Sequence, residues 1–517
     1  MATAVTAARS PLSGAALHSP FIAPMLSGSR AERRGLAFWM NRVLEELHAL
    51  RHAPNADTVH DLRVAIRRCR SVAAVMQDVD PDPDWRQMRK VARRLFRALG
   101  AWRDVQILQN WTRKLVPEDD ALRTHLLLSL ETEEKQNAQA AHRVAEKFND
   151  QDWIHLERRL RKRSRFVPAG SLVAESLALG RFEEAKELHN RALRTEKAKP
   201  WHRLRIGLKR FRYTVEDLLP EHYAVWSDNL KRVQDLLGDI HDLDVFGDRL
   251  KSGDLGEAAD SANACQERLA RERSQRIETY RQLTLGKTSL WHEWRNNLPY
   301  GPRLEAAVED RIRATARAGD AHPRRTGQVA RLAIRLFDIL RRAKAAPLFS
   351  DAAMRRVLQA AARLHGFGAP GASPRSQKAV RKYLLALPAP PNWTLREWDL
   401  MAWVIRFHRG AEPREKNGFA KLSAEQQTAV RALAGVLRLA RGLRKAGVET
   451  TRGLRTVRST DALALRVPGL ADTAGGAARL AAAKHLLEVA LAKPVILKPV
   501  PPRPEATPEA PALSISA

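Results

Sequence analysis

Apolar side chains recur every three to four residues along much of the chain, which is the period of a helix with one buried face. The period is sustained from Ala31 to about Trp294, with few runs of β-branched residues. A first helix is predicted over Arg33 to Arg51, and its apolar face consists of Leu36, Trp39, Met40, Val43, Leu44 and Leu47. The pattern therefore predicts a mostly α-helical protein.

The second predicted helix has a basic face opposite its apolar face. We expect it to begin just before His60, with Thr58 and Asp61 as a capping box, and to end near Met76, before an acidic, proline-containing turn at 78–84. The apolar side consists of Leu62, Ile66 and Cys69. The basic side is a single stripe made of His60, Arg63, Arg67 and Arg70. Few acids lie nearby in the sequence, so this face needs an anion.

A near copy of this helix follows later in the chain. Residues 201–212 repeat the pattern of residues 59–70, and the equivalent basic stripe consists of His202, Arg205, Lys209 and Arg212. The motif Leu-Gly-x-x-(Arg/His)-Asp, at 99–104, recurs at 237–242 with nearly the same spacing. The two pairs of motifs indicate that a whole helical unit is duplicated.

A second basic stripe lies on the helix that follows the first copy, at Arg86, Arg89, Arg93 and Arg97, and this helix continues to Arg103 of the Leu-Gly motif. In the second unit Lys231 and Arg232 match Arg93 and Arg94, but Asp228 replaces Lys90 and His241 replaces Arg103, so this helix is less basic in the second copy. A run of charge is usually a solvated surface. Two stripes without matching acids favour anion binding instead. Asp104 and Asp242 are expected to orient arginines, whereas His60 and His202 could equally be binding residues or core residues.

The paired H-x-x-R-x-x-x-[KR]-R-x-R helices, each followed by the Leu-Gly motif, resemble the CHAD (conserved histidine α-helical) domain family. The resemblance implies two pseudo-symmetric helical bundles over residues 31–297, which bind inorganic polyphosphate along a basic surface. It assigns to that surface the two main stripes, namely His60, Arg63, Arg67 and Arg70, and His202, Arg205, Lys209 and Arg212. From their charge we expect Arg89, Arg93, Arg97, Arg103 and Lys231 to add to this surface. The chemistry agrees, because four cations along ten residues of helix span about 15 Å and suit a linear polyanion. Guanidinium groups also bind phosphate oxygens in pairs.

The second half of the chain is again helical, after a boundary at 296–303. Residues 304–497 resemble the C-terminal HD-type domain of the exopolyphosphatase and guanosine-pentaphosphatase family. The metal ligands of that site are absent, because Gly366 follows His365 where an aspartate is needed and Arg441 replaces a second aspartate. We expect His322, His365 and His408 to serve in packing rather than in contacts to phosphate.

The end of the second half predicts a small β-α-β appendix, with strands at 461–467 and 495–497 and a helix at 477–491. Residues 1–30 and the proline-rich residues 498–517 are expected to be disordered tails. The fold class is therefore all-α: two CHAD bundles, then a degenerate HD-like helical domain with this appendix.

Composition narrows the choice of ligand. The formal net charge is +31 and the pI is about 10.9, which favours a polyanionic partner. No stretch reaches the ~18 uninterrupted apolar residues of a membrane span, and the two cysteines suit a reducing cytoplasm. We expect a non-catalytic polyphosphate-binding protein at cytoplasmic polyphosphate granules, without a cofactor and with polyphosphate-metabolising enzymes as partners.

Two alternatives remain open at this stage. The first is a general nucleic-acid-binding protein, which ranks below polyphosphate binding because no nucleic-acid-binding motif accompanies the charge. The second is a metal-dependent phosphohydrolase of polyphosphate or guanosine polyphosphates, which would need the altered site of the second domain.

Overall fold

The computed structural model describes residues 35–252, 259–371, 373, 376–410, 412–413, 417–470 and 474–500. Its first half contains ten α-helices in the part described: α1 (Leu36–His52), α2 (Ala56–Met76), α3 (Asp84–Leu115), α4 (Ala121–Glu146), α5 (Asp150–Arg163), α6 (Leu172–Ala192), α7 (Ala198–Leu218), α8 (Pro220–Ser252), α9 (Ala259–Thr284) and α10 (Leu290–Asn296). The tails expected to be disordered lie outside the described residues, except for 498–500.

The duplication is visible in the helices. Each helix from α1 to α4 packs against the next, and α6 to α9 repeat this arrangement. Helices α2 and α7 both have 21 residues, α3 and α8 have 32 and 33, and α4 and α9 both have 26. The structure thus confirms the two helical bundles.

One local prediction, the start of the second helix, was wrong. Helix α2 begins at Ala56, since Asn55 Oδ1 accepts hydrogen bonds from the backbone N–H groups of Asp57 and Thr58 at 3.0 and 2.9 Å. The capping box is therefore Asn55 with Thr58, one helical turn before the predicted one.

The apolar faces of both bundles form one continuous core. Leu62, Ile66 and Cys69 of α2 are fully buried in it, as are Leu204, Leu208 and Phe211 of α7. Each of these helices therefore has its basic side turned away from the core, as the pattern predicts. A second apolar cluster joins the far ends of α3 and α4 to those of α8 and α9.

The second half is also helical and ends in a small sheet. Its helices are α11 (Gly301–Gly319), α12 (Pro323–Arg342), α13 (Ala352–Leu364), α14 (Gln377–Ala386), α15 (Leu395–Phe407), α16 (Ala424–Lys445) and α17 (Ala474–Leu491). The strands are β1 (Arg455–Val457), β2 (Leu463–Pro468) and β3 (Val495–Val500), with β2 antiparallel to β1 and parallel to β3.

The appendix agrees with the predicted β-α-β unit but is larger. Strand β1 was not predicted, and β3 continues to Val500, so residues 498–500 belong to the sheet rather than to a tail. Pro499 is tolerated because β3 is an edge strand, where proline can occupy a position whose backbone N–H is not needed for hydrogen bonds between strands.

Helix α11 joins the two halves, since it packs against α6 and contributes residues to both cores. The acidic turn after α2 supports this junction. Asp80 accepts a hydrogen bond from Trp85 Nε1 at 2.7 Å and forms an ion pair with Arg163. The same Arg163 guanidinium donates to the carbonyl oxygen of Ala318 in α11 at 3.0 Å. The aspartates of this turn are therefore structural.

Candidate anion-binding cleft

The basic sides of α2 and α7 face each other across a cavity of about 790 Å³. Helices α3 and α8 complete its walls with the residues of the two Leu-Gly motifs, and α6 contributes at one end. The basic lining residues are His60, Arg63, Arg67, Arg70, Arg89, Arg103, Arg181, Arg205, Lys209, Arg210 and His241. The duplication therefore brings the first predicted stripe and two residues of the second, Arg205 and Lys209, into one site, which we call the cleft.

Three arginines of α2 form one wall. The guanidinium carbons of Arg63 and Arg70 lie 5.2 and 4.7 Å from the ring centre of Phe96, and that of Arg67 lies 5.3 Å from the ring centre of Tyr213. Burial lowers the pKa of all three guanidinium groups, and neighbouring arginines lower it further. The aromatic faces hold the cations in place without neutralising them.

The same arginines have hydrogen-bond donors without acceptors. Arg63 Nη1, Arg67 Nε and Arg70 Nη1 are buried, and none has a hydrogen-bond partner among the described residues. A buried donor left unpaired costs about 1–3 kcal/mol. Gly100 of the first Leu-Gly motif makes room for this arrangement, because a Cβ there would lie 3.0 Å from Arg63 Nη1. These donors are available to an anion that enters the cleft.

Arg205 and Lys209 of α7 form the opposite wall. Burial lowers the pKa of Lys209 to about 7, and the charges of Arg205 and Arg67 contribute to the shift. Arg205 Nε is buried and has no acceptor among the described residues. The cations of the two repeats thus repel each other across the cleft, and a bound anion would relieve this repulsion.

Two carboxyl groups, Asp104 of α3 and Asp242 of α8, also line the cleft. Burial raises the pKa of both, that of Asp242 to about 6, while the charges of Arg205 and Lys209 partly offset the effect. The charge of Asp104 acts mainly on Arg63, which is compatible with the orienting role expected for it. The lining keeps a large excess of cations over acids.

The histidines that open the stripes are not core residues. His60 is exposed at the mouth of the cleft, and His202 is only partly buried. His202 Nδ1 lies 3.2 Å from His241 Nδ1. Burial lowers the pKa of His241 to about 4, helped by the charge of Arg205, and burial also lowers that of His202. This histidine pair is therefore neutral near pH 7.

One end of the cleft carries arginines that already have partners. Arg89 donates to Gln77 Oε1 at 2.7 Å. Arg181 donates to Asp78 Oδ2 at 2.6 Å, and Arg210 to Glu184 Oε1 at 2.7 Å. Sequence reasoning missed Arg181 and Arg210. Arg210 follows Lys209 within the repeated motif and could have been included, whereas nothing local distinguishes Arg181 on α6.

Arg212 does not line the cleft, although it is equivalent to Arg70. Its Nε lies 3.9 Å from Glu216 Oε2, one helical turn further along α7. The first repeat has Ala74 at the equivalent place, so Arg70 has no such competitor. The repeat is therefore asymmetric at this position.

The remaining predicted residues lie on the surface of the long helices. Arg93 and Arg97 are exposed on α3, where their charges still lower the pKa of the buried Arg70. Lys231 is exposed on α8, where its positive charge partly offsets the rise that burial causes in the pKa of Asp235. Arg93 and Arg97 thus extend the positive field beyond the cleft, whereas Lys231 does not line it.

In the second domain, two histidines beside the altered metal site are packed together. His365 and His408 lie with ring centres 5.4 Å apart, and each ring Nδ1 contacts the carbonyl oxygen three residues earlier, at 2.7 and 2.6 Å. A Cβ on Gly366 would lie 2.7 Å from Asp320 Oδ2, so a larger residue there would require the side chain of Asp320 to shift. His322 is exposed, at the start of α12.

No group of three or more His, Cys, Asp and Glu side chains able to hold a metal ion occurs in the described part of the chain. None of the helices described is both long and apolar enough to cross a membrane.

The sequence profile of the CHAD domain matches residues 36–251, which contain both stripes and both Leu-Gly motifs. This part of the chain is a CHAD domain. The profile of the Ppx/GppA phosphatase, domain III, matches residues 314–472. CHAD domains are generally non-catalytic, and domain III is a non-catalytic C-terminal part of its family.

One solved structure similar to the chain is the crystal structure of the CHAD domain from the plant Ricinus communis. The two are 22% identical with a TM-score of 0.37, over 48% of this chain and 88% of that chain. No curated protein matches the chain.

Proposed function

We propose that the CHAD domain binds inorganic polyphosphate in the cleft and that the protein is a non-catalytic component of cytoplasmic polyphosphate granules. The observation that carries the proposal is the set of buried, unpaired guanidinium donors on Arg63, Arg67, Arg70 and Arg205, within the described residues, which two repeats aim into one cavity. Both domain families are related to polyphosphate, which makes a polyphosphate-metabolising enzyme the expected protein partner.

The shape and depth of the cleft favour a thin, flexible polyanion. Arg67 and Lys209 lie on opposite walls of the cleft and both are partly buried, so a narrow phosphate chain suits simultaneous contact with the two. The phosphates of a nucleic-acid duplex are held on a much wider scaffold and would meet the exposed cations of the rim, such as Arg93. The cleft therefore favours polyphosphate over duplex DNA.

The test is a calorimetric titration of the full chain with long-chain polyphosphate and with duplex DNA, matched in total charge, at physiological salt. We expect tighter binding of polyphosphate, with a steep loss of affinity as salt rises because bound counterions are released. Equal affinity for DNA would contradict specific recognition and would favour a general polyanion-binding function.

The non-catalytic part of the proposal has its own assay. Phosphate release from polyphosphate or from guanosine polyphosphates is measured with Mn²⁺ or Mg²⁺ present. We expect none above background, because Gly366 and Arg441 stand where metal-binding carboxylates would be required. Turnover that the His365→Ala variant abolishes would contradict this expectation.

A further inference from the structure

A row of cations lies on the exposed face of α3, beside the cleft. Its members recur at intervals of three or four residues, so they share one face of the helix: Arg86, Lys90, Arg93 and Arg97. All four are exposed, and within the described residues none of them forms an ion pair or a side-chain hydrogen bond. From its first member to its last the row is about 16 Å long. We call it the α3 ridge.

The α3 ridge continues the positive field of the cleft. Arg89, which lines the cleft, is the neighbour of Lys90 on the same helix. Burial lowers the pKa of Arg70 in the cleft, and the nearby charges of Arg93 and Arg97 lower it further. A polyanion that passes Arg70 on its way out of the cleft therefore meets the cations of the ridge next.

The second repeat has no such ridge. The spacing of the two Leu-Gly motifs places these residues of α8 at the equivalent positions: Ala224, Asp228, Lys231 and Asp235. All four are again exposed, but they comprise one cation and two acids instead of four cations. Arg212, the counterpart of Arg70, is close to Glu216 and does not line the cleft. The path away from the cleft is therefore cationic on α3 and not on α8.

A solvated surface is the simplest alternative role for the α3 ridge. Such a surface needs no particular sign of charge, and α8 shows that a helix of nearly the same length, in the equivalent place, carries acids on this face. The like charges of the ridge also repel each other, since Arg93 and Arg97 are one helical turn apart. The row is therefore unfavourable for the free protein and favourable for an anion held along it.

We propose that the α3 ridge is a second section of the polyphosphate site, so that a chain leaving the cleft runs over the first repeat and not over the second. This inference rests on the proposed function of the cleft. Exposed cations suit a long, flexible polyanion, because each contact to phosphate releases bound counterions. A short chain occupies the cleft alone, whereas a long chain occupies the cleft and the ridge together. The ridge therefore selects for chain length.

The test compares tripolyphosphate with long-chain polyphosphate, each titrated by calorimetry into the full chain at physiological salt. Tripolyphosphate is the probe for the cleft, because three phosphates cannot occupy the cleft and the ridge together. The ridge variant is Arg93→Gln with Arg97→Gln, and the matched control is Lys231→Gln with Arg232→Gln on α8. All four side chains are exposed and glutamine is a good helix former, so both variants should fold like the parent.

We expect the ridge variant to bind long-chain polyphosphate at least fivefold more weakly than the parent, and tripolyphosphate within twofold of it. The control variant should stay within twofold of the parent for both ligands. A ridge variant that loses no more long-chain affinity than the control, or that loses as much affinity for tripolyphosphate, would overturn the ridge and leave the cleft assignment in place. A parent that binds neither ligand would overturn the proposed function, and the ridge with it.

A chemical footprint of the unsubstituted protein gives an independent reading. Lys90 lies on the ridge and Lys231 on the equivalent face of α8, and both are exposed. Bound long-chain polyphosphate should slow the acetylation of Lys90 by an N-hydroxysuccinimide ester at least threefold, as read by mass spectrometry, and should change that of Lys231 little. Tripolyphosphate should protect neither lysine. Equal protection of the two lysines, or none at Lys90, would show that the polymer does not follow α3 and would overturn the proposal.

Discussion

Replacing Arg67 with methionine should stabilise the protein without its anion and weaken polyphosphate binding. Arg67 is deep in the cleft, its Nε has no acceptor among the described residues, and the charges of Arg68 and Arg212 oppose its own. Methionine has a similar length and is flexible enough to fill the same space against Tyr213. The substitution thus removes an unfavourable buried charge from the folded state together with a phosphate ligand.

The two effects can be estimated separately. Removing the unpaired donor should return about 1–3 kcal/mol of folding free energy. Loss of the cation–π contact with Tyr213 costs about 0.5–1 kcal/mol, which leaves a net gain of about 0–2.5 kcal/mol. A charge-assisted contact to phosphate is worth about 1.5–3 kcal/mol, so the dissociation constant should rise about 10- to 150-fold.

The assay combines urea unfolding, followed by circular dichroism without polyphosphate, with calorimetric titration of long-chain polyphosphate. Arg94→Met is the matched control, because Arg94 is exposed on α3 and does not line the cleft. It should change stability by less than about 0.5 kcal/mol and leave binding unaltered. An Arg67→Met variant that unfolds at lower urea and binds polyphosphate like the parent would show that Arg67 is a structural residue, and would refute the reasoning.

Three further predictions follow from the same contacts. Polyphosphate affinity should fall as pH rises from 5.5 to 8.5, because the free cleft gains negative charge on Asp242 above pH 6 and loses positive charge on Lys209 above pH 7. In calorimetric titrations Lys209→Arg should remove the upper part of this dependence, and a flat pH profile in the parent would contradict the prediction. Asp242→Asn should tighten polyphosphate binding at pH 8 by about 1 kcal/mol, roughly fivefold, because it removes a negative charge that repels the polyanion from the cleft. Weaker binding would mean that Asp242 acts chiefly by orienting Arg205. Gly366→Asp should destabilise the second domain by about 1–3 kcal/mol in thermal unfolding, because the new side chain overlaps Asp320 and Thr326. Adding Arg441→Asp should not produce Mn²⁺-dependent phosphate release, and turnover by the double variant would show that a metal site can still form.

The helices and their faces could be predicted because they depend on local periodicity. The side of α2 that carries Leu62 and Ile66 is buried and the side that carries Arg63 and Arg67 lines the cleft, as the spacing requires. The duplication was also readable, since a repeated motif implies a repeated unit. Strand β1 was missed because three residues are too few to establish a period.

The membership of the cleft depends on tertiary contacts, which the stripes alone do not contain. Arg181 joins the cleft from α6 only because α6 packs against α7. Lys231 lies outside because its side of α8 faces solvent. The exclusion of Arg212 was partly readable, since Glu216 follows it at the spacing of a helical ion pair.

Helix capping is ambiguous in sequence for a related reason. Asn55 and Thr58 are both good N-cap residues, three positions apart, and either could start α2. The structure uses Asn55, with Thr58 completing the capping box. Asparagine is the better N-cap residue of the two, but the difference is too small to decide between overlapping caps from the sequence alone.

The most direct test of the account is the polyphosphate affinity of a charge-reversed cleft. Arg67→Glu with Lys209→Glu reverses one cation on each wall, and Arg94→Glu with Arg232→Glu makes the same change of charge on the exposed surfaces of α3 and α8. With circular dichroism confirming that both variants are folded, calorimetry should show a loss of at least about 3 kcal/mol, more than 100-fold in dissociation constant, for the cleft variant. The surface variant should lose far less. Equal losses in the two variants, or unchanged binding in the cleft variant, would contradict the assignment of the cleft as the polyphosphate site.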